Sequence, residues 1–155
     1  MKQTVAIVGG GGREAVLTES YSHSPQVGKI LVIPGNDLIQ DVSRVKVLTF
    51  PDVKTHEVDK IIAICVKQKV TLVDIAQEAA VEAGLADQLT KKHILYMGPT
   101  KEAGHLEWDK AWARDFMVKF GIPHPKYQVF KSIAAAKKYI SSQPEGKWFI
   151  KASGL

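Results

Sequence analysis

Four consecutive glycines, Gly9-Gly10-Gly11-Gly12, run directly into Arg13-Glu14 and follow the short apolar run Val5–Val8. Glycines at a strand-to-helix turn let the backbone approach a ligand closely. The helix they open offers unpaired N–H groups and a partial positive charge. Phosphate suits that geometry, and Arg13 adds a charged contact. A tight turn without a ligand is the alternative. A dinucleotide fingerprint fits poorly, because Glu14 stands where a third glycine is wanted. The acidic residue expected after the second strand is also replaced by Pro34-Gly35-Asn36, with Asp37 lying past the turn.

Four further positions carry chemistry. Asn36 can exchange hydrogen bonds with a ligand or serve the turn alone. Glu78, after Ala76-Gln77, can hold a hydroxyl or amine, or stabilise the start of its own helix. Lys110 falls in a helical stretch, and Lys151 sits beside the apolar Trp148-Phe149-Ile150. Either alone reads as a surface lysine, although Lys151 in an apolar strand needs a partner that a phosphate would provide. The five histidines show no metal-ligand spacing, and Ser153 lacks a nucleophile-elbow context. Trp108 and Trp112 are spaced i, i+4 for packing on one helix.

These residues need elements to position them, and the chain alternates apolar runs with helical periodicity. Strands are predicted at Val5–Val8, Ile30–Ile33, Val45–Thr49, Val70–Ile75 and Ile94–Met97. Helices are predicted at 13–22, at 58–66 with Val58, Ile61, Ile62, Cys65 and Val66 on one face, and at 78–89, weakened at Gly84. A long Thr100-capped helix is predicted to about Phe120. This alternation implies a Rossmann-like, doubly wound parallel α/β sheet over residues 1–120. The glycine loop, Pro34-Gly35-Asn36 and Glu78 then share the C-terminal edge, where ligands bind in such sheets. Gly121-Ile122-Pro123-His124-Pro125 ends the pattern. Residues 121–155 read as a βαβ start of another domain: strand 127–130, a Ser132-capped helix, and strand 148–151 with an open edge prone to pairing.

Composition bounds the function classes. The 155 residues are 45% hydrophobic and 24% charged, as in folded globular chains. The longest apolar run, Ile61–Val66, is far short of the roughly 20 residues a membrane helix needs. Nor is there a signal-peptide core. With Cys65 alone, an internal disulfide or a cysteine-based zinc cluster is impossible, and a cytoplasmic setting is the simplest expectation. The net charge of +5 is spread along the chain without a dense basic stripe. That suits anionic small molecules better than nucleic acid.

The ordered set of motifs resembles the glycinamide ribonucleotide synthetase (phosphoribosylamine–glycine ligase) family of the ATP-grasp superfamily. The matching stretches are Val8–Glu14, Pro34-Gly35-Asn36, Ala83–Asp87, Gly98–Lys101 with Leu106-Glu107, Lys110-Ala111, Arg114–Met117, Gly121–Pro123 and Ile150–Leu155. The resemblance implies ligation of 5-phosphoribosylamine to glycine with ATP, in purine biosynthesis, through a glycyl phosphate. It places Gly9 to Glu14, Pro34, Gly35, Asn36 and Glu78 on the phosphoribosylamine side, and directs Lys110 and Lys151 at ATP. Mg²⁺ is implied, with ligands expected beyond Leu155, as are a pre-ATP-grasp domain and the first βαβ of an ATP-grasp module. The 155-residue piece is therefore expected to be inactive alone, with no nucleic acid, membrane or obligate protein partner. This chain departs from the family pattern at Ala15, Ala76-Gln77, Trp108-Asp109 and Ser153. Two alternatives stay open: a stand-alone sugar-phosphate or nucleotide-binding module, and another ATP-grasp ligase of the biotin carboxylase type.

Overall fold

The computed structural model describes residues 2–146 and 148–154. The chain divides into two compact units, residues 1–105 and 106–155. Leu155, the last residue of the final motif, lies outside the described residues.

The first unit opens with β1 (Gln3–Gly9), α1 (Gly12–Ser22), β2 (Val27–Pro34) and β3 (Lys46–Thr49). It continues through α2 (Val58–Lys67), β4 (Leu72–Ile75), α3 (Glu78–Glu82), α4 (Leu85–Lys91) and β5 (Leu95–Met97). All ladders are parallel, in the order β3-β2-β1-β4-β5. The chain thus winds outward from β1 in one direction and then returns to its other side through β4. Ile7 pairs with Val32 on one side and Asp74 on the other.

Central position explains the uninterrupted apolar runs Val5–Val8 in β1 and Ile30–Ile33 in β2. A parallel strand covered on both faces has no solvent face for polar residues to occupy. Ala6, Ile7, Val8, Ile30, Leu31, Val32 and Ile33 are wholly buried. Each large one contributes about 1.5–3 kcal/mol through burial. In α2 the inward face is Ile61, Ile62 and Cys65, while Val66, expected on it, is 58% exposed. The predicted weak point at Gly84 is a true break. Its φ of +80° is left-handed, ending α3 and opening α4.

The long helix expected from 100 to about 120 is two helices, α5 (Lys101–Trp108) and α6 (Lys110–Lys119). Thr100 does cap the first, its Oγ1 accepting from Ala103 N at 3.3 Å. Asp109 is extended (φ −115°, ψ 98°), and its Oδ1 accepts from Ala111 N and Trp112 N, both at 3.1 Å. A carboxylate that satisfies the first amides of a new helix ends the preceding one. Trp108 and Trp112 therefore belong to different helices, and Trp112 stacks on Phe116, ring centroids 5.3 Å apart. The compact units part within α5, between His105 and Leu106.

In the second unit α7 (Ile133–Ser141) has the expected cap, Ser132 Oγ accepting from Ala135 N at 3.2 Å. The flanking segments 127–130 and 148–151, predicted as strands, form no ladder among the described residues. They are joined through α7 by aromatic rings: Tyr139 lies 5.2 Å from Phe130 and 6.2 Å from Trp148. No helix among the described residues is long and apolar enough to cross a membrane.

Candidate functional site

β1 and β4 are neighbours at the centre of the sheet, and their following connections leave toward different helices. That point is where an open α/β sheet leaves a crevice. The glycine loop follows β1, Pro34-Gly35-Asn36 follows β2, and Ala76-Gln77-Glu78 follows β4, so all three meet at one edge. The structure ties them together by hydrogen bonds. Gly35 N donates to Gly9 O at 3.1 Å, and Asn36 Nδ2 donates to Gly10 O at 2.8 Å. Arg13 Nη2 donates to Ala76 O at 2.8 Å and lies 3.8 Å from a Glu78 carboxylate oxygen.

The glycines have separate jobs. Gly9 has φ +143°, and a Cβ on it would lie 2.6 Å from the Glu14 carboxyl carbon. A Cβ on Gly10 would lie 2.6 Å from the carbonyl oxygen of Gly35. Both positions are small so that the protein can pack against itself. Gly12 is different, because a Cβ there meets nothing within 4 Å. Gly12 and Arg13 are also the first two residues of α1, whose amides have no carbonyl within the helix to bond. The open side of the loop is therefore at Gly12 and Arg13, where an anion can take two amides, the helix-end charge and the guanidinium.

Two predicted site residues spend their polar atoms on the protein itself. Glu14 is wholly buried. Its Oε2 accepts from Gly11 N at 2.5 Å, its Oε1 from Gln77 Nε2 at 3.1 Å, and Arg13 Nε lies 3.9 Å away. A buried carboxylate requires such partners, and here they make Glu14 a strut under the loop. Asn36 uses both ends of its amide on the protein, since Oδ1 also accepts from Leu38 N at 2.9 Å. It clamps the Pro34-Gly35-Asn36 turn to the glycine loop. The Ile33–Pro34 peptide leading into this turn is cis. Arg13 and Glu78 remain partly exposed, with side chains 62% and 38% accessible. Gln77, noted in the sequence only as a departure, is the residue whose role was missed. Its signal was a polar side chain on the loop after β4, facing an acid at the start of α1.

In the second unit Lys110 is not mid-helix but the first residue of α6. Ser153 Oγ accepts from Ala111 N at 2.9 Å and donates to Asp109 Oδ1 at 3.0 Å. The two residues flanking Lys110 are thus bonded to a residue two positions after Lys151. Both lysines are exposed. Among the described residues no group of three or more His, Cys, Asp or Glu side chains is placed to hold a metal ion.

The comparisons agree over the whole chain. Residues 3–107 match the N domain of phosphoribosylglycinamide synthetase, and residues 108–155 match its ATP-grasp (A) domain. The trifunctional purine biosynthetic protein adenosine-3 of Drosophila melanogaster is 34% identical over all of this chain and 12% of its own length. The phosphoribosylamine–glycine ligase of Chlorobaculum tepidum is 34% identical over 97% of this chain and 35% of its own. The chain therefore spans between about a tenth and about a third of these relatives. Among solved structures, the phosphoribosylamine–glycine ligase of Thermotoga maritima has a TM-score of 0.60 at 22% identity, covering 98% of this chain and 33% of that one. The biotin carboxylase domain of a single-chain bacterial carboxylase has a TM-score of 0.63 at 15% identity, covering 91% and 34%. The two family models together span residues 3–155, meeting two residues from the structure's own division, and the chain belongs to the phosphoribosylglycinamide synthetase family.

Proposed function

We propose that this chain supplies the phosphoribosylamine-binding edge and the first ATP contacts of a ligase that joins 5-phosphoribosylamine to glycine. The observation that carries the reading is the three-loop edge at the centre of the sheet. There the buried Glu14 and the Asn36 clamp hold a glycine loop open at Gly12 and Arg13. The ribose phosphate would take the amides of that helix start and the Arg13 guanidinium. Glu78, already paired with Arg13, is the acceptor suited to a hydroxyl or the amine. Lys110 and Lys151 would neutralise ATP phosphates while the glycine carboxylate attacks the γ-phosphorus and ADP leaves. The amine then attacks the glycyl carbonyl and releases phosphate. The chain's contribution to both steps is positioning and charge, which is the main protein contribution in phosphoryl transfer. Mg²⁺ would add charge neutralisation, through ligands outside the residues described.

The test has two arms. Ribose 5-phosphate titrated into the chain should perturb the backbone amide resonances of Gly12 and Arg13. In a chimera, residues 3–155 replace the matching segment of the Chlorobaculum tepidum ligase. ADP formation should then require both glycine and phosphoribosylamine, and ADP formation indifferent to either would remove the substrate assignment.

A further inference from the structure

The N-cap of α6 does more than a cap requires. Asp109 Oδ1 already accepts from Ala111 N and Trp112 N, the second and third residues of the helix, and that completes the local motif. Ser153 joins the same oxygen from 44 positions away and also accepts from Ala111 N. Among the described residues, the hydrogen bonds of residues 148–154 are the two made by Ser153 Oγ. No strand ladder holds that segment. Among the described residues, its attachment by hydrogen bonds to the rest of the second unit runs through one hydroxyl.

The attachment lies between two cations. Lys110 sits between Asp109 and Ala111, the two partners of Ser153. Lys151 is two residues before Ser153, a chain separation of at most about 7 Å. Both lysines carry long, flexible stems, so where their ammonium groups can meet one ligand is set by where their backbones are fixed.

We propose that Asp109 and Ser153 are positioning residues that set the spacing of Lys110 and Lys151, so that both ammonium groups meet one polyphosphate. The proposal rests on the reading of these lysines as ATP contacts. Ser153→Ala removes the long-range link and leaves the helix cap intact, whereas Ser153→Thr keeps the hydroxyl.

The experiment uses the full chain with two readouts. One is the yield of the Lys110–Lys151 crosslink with a short amine-reactive aryl difluoride, mapped by peptide mass. The other is the dissociation constant for ATP. For Ser153→Ala the crosslink yield is expected to fall several-fold. ATP affinity should weaken about tenfold, the size of one charge-assisted hydrogen bond. The thermal midpoint should stay unchanged, and Ser153→Thr should restore both readouts. A wild-type crosslink yield in Ser153→Ala overturns the proposal whatever the ATP result. A wild-type chain whose crosslink depends on Ser153 but which takes up no ATP overturns the nucleotide reading, and the positioning role with it.

Discussion

Substituting alanine at Gly10 and at Gly12 separates the packed side of the glycine loop from its open side. At Gly10 the added methyl would stand 2.6 Å from Gly35 O and 3.2 Å from the carbonyl carbon. Both are backbone atoms, so no flexible side chain can yield, and one loop must move from the other. Overpacking of this kind costs about 1–3 kcal/mol. The same movement stretches the Asn36–Gly10 and Gly35–Gly9 hydrogen bonds, at about 1 kcal/mol each. A total of about 3–5 kcal/mol would lower the midpoint of a unit this size by on the order of 10–20 °C. At Gly12 the methyl enters open space, and alanine is the better helix former by up to about 1 kcal/mol. Gly12→Ala should therefore be neutral or slightly stabilising. Thermal denaturation followed by circular dichroism measures both, and ribose 5-phosphate titration follows on the folded variants. Gly12→Ala should keep its midpoint but bind the sugar phosphate more weakly, because the methyl occupies the approach to the amides. Equal destabilisation by the two substitutions would refute the assignment of packed and open sides. Undiminished sugar-phosphate binding by Gly12→Ala would refute the placement of the ligand.

Three further outcomes are expected. Tyr21 donates to Asp74 Oδ2 at 2.9 Å, and burial, followed by that bond and the carboxylate charge, pushes its phenol up to about 12. Since the folded value lies above the unfolded 10, the stabilisation is complete below pH 10 and lost between pH 10 and about 12. Tyr21→Phe should cost about 1 kcal/mol at neutral pH and fall less steeply in that window, and parallel urea-unfolding curves against pH would exclude the coupling. Cys65 is wholly buried, and burial pushes its thiol up to about 12. At pH 8 it should react with a disulfide reagent only after urea unfolding, and prompt modification of the native chain would contradict its placement. Ser132→Ala removes the cap of α7 and should reduce helical content with a loss of about 1 kcal/mol, read by circular dichroism, while Ser132→Asp should preserve it.

What could be read in advance followed the range of the interaction. The strands from Val5, Ile30 and Val70 announced themselves because buried parallel strands leave an apolar signature in local sequence. Gly84 announced its break for the same local reason. The break at Asp109 was hidden, because the apolar spacing runs past it on both sides and the cap depends on one residue's backbone angles. Segments 127–130 and 148–151 have the composition of strands, but a strand exists only where another pairs with it. At the candidate site, the glycine loop, Pro34-Gly35-Asn36 and Glu78 could be placed on one edge from topology alone. That Glu14 faces inward could not, since its partner Gln77 is 63 residues away. The Asp109–Ser153 link, 44 residues long, was equally out of reach.

The edge where these loops meet also has an order of assembly. β1 pairs with β2 early, through a connection containing only α1, but it acquires β4 after two more crossovers. The bonds from Arg13 to Ala76 and from Gln77 to Glu14 each close a span of 63 residues. Contacts of such separation carry their loop-closure entropy before they return any stabilisation, and so they form late. During synthesis the glycine loop spends its early life without its strut partner. A phosphate ligand that prefers the finished edge would bind only after the central strands have zipped, making ligand uptake a clock for the closing of β4 against β1.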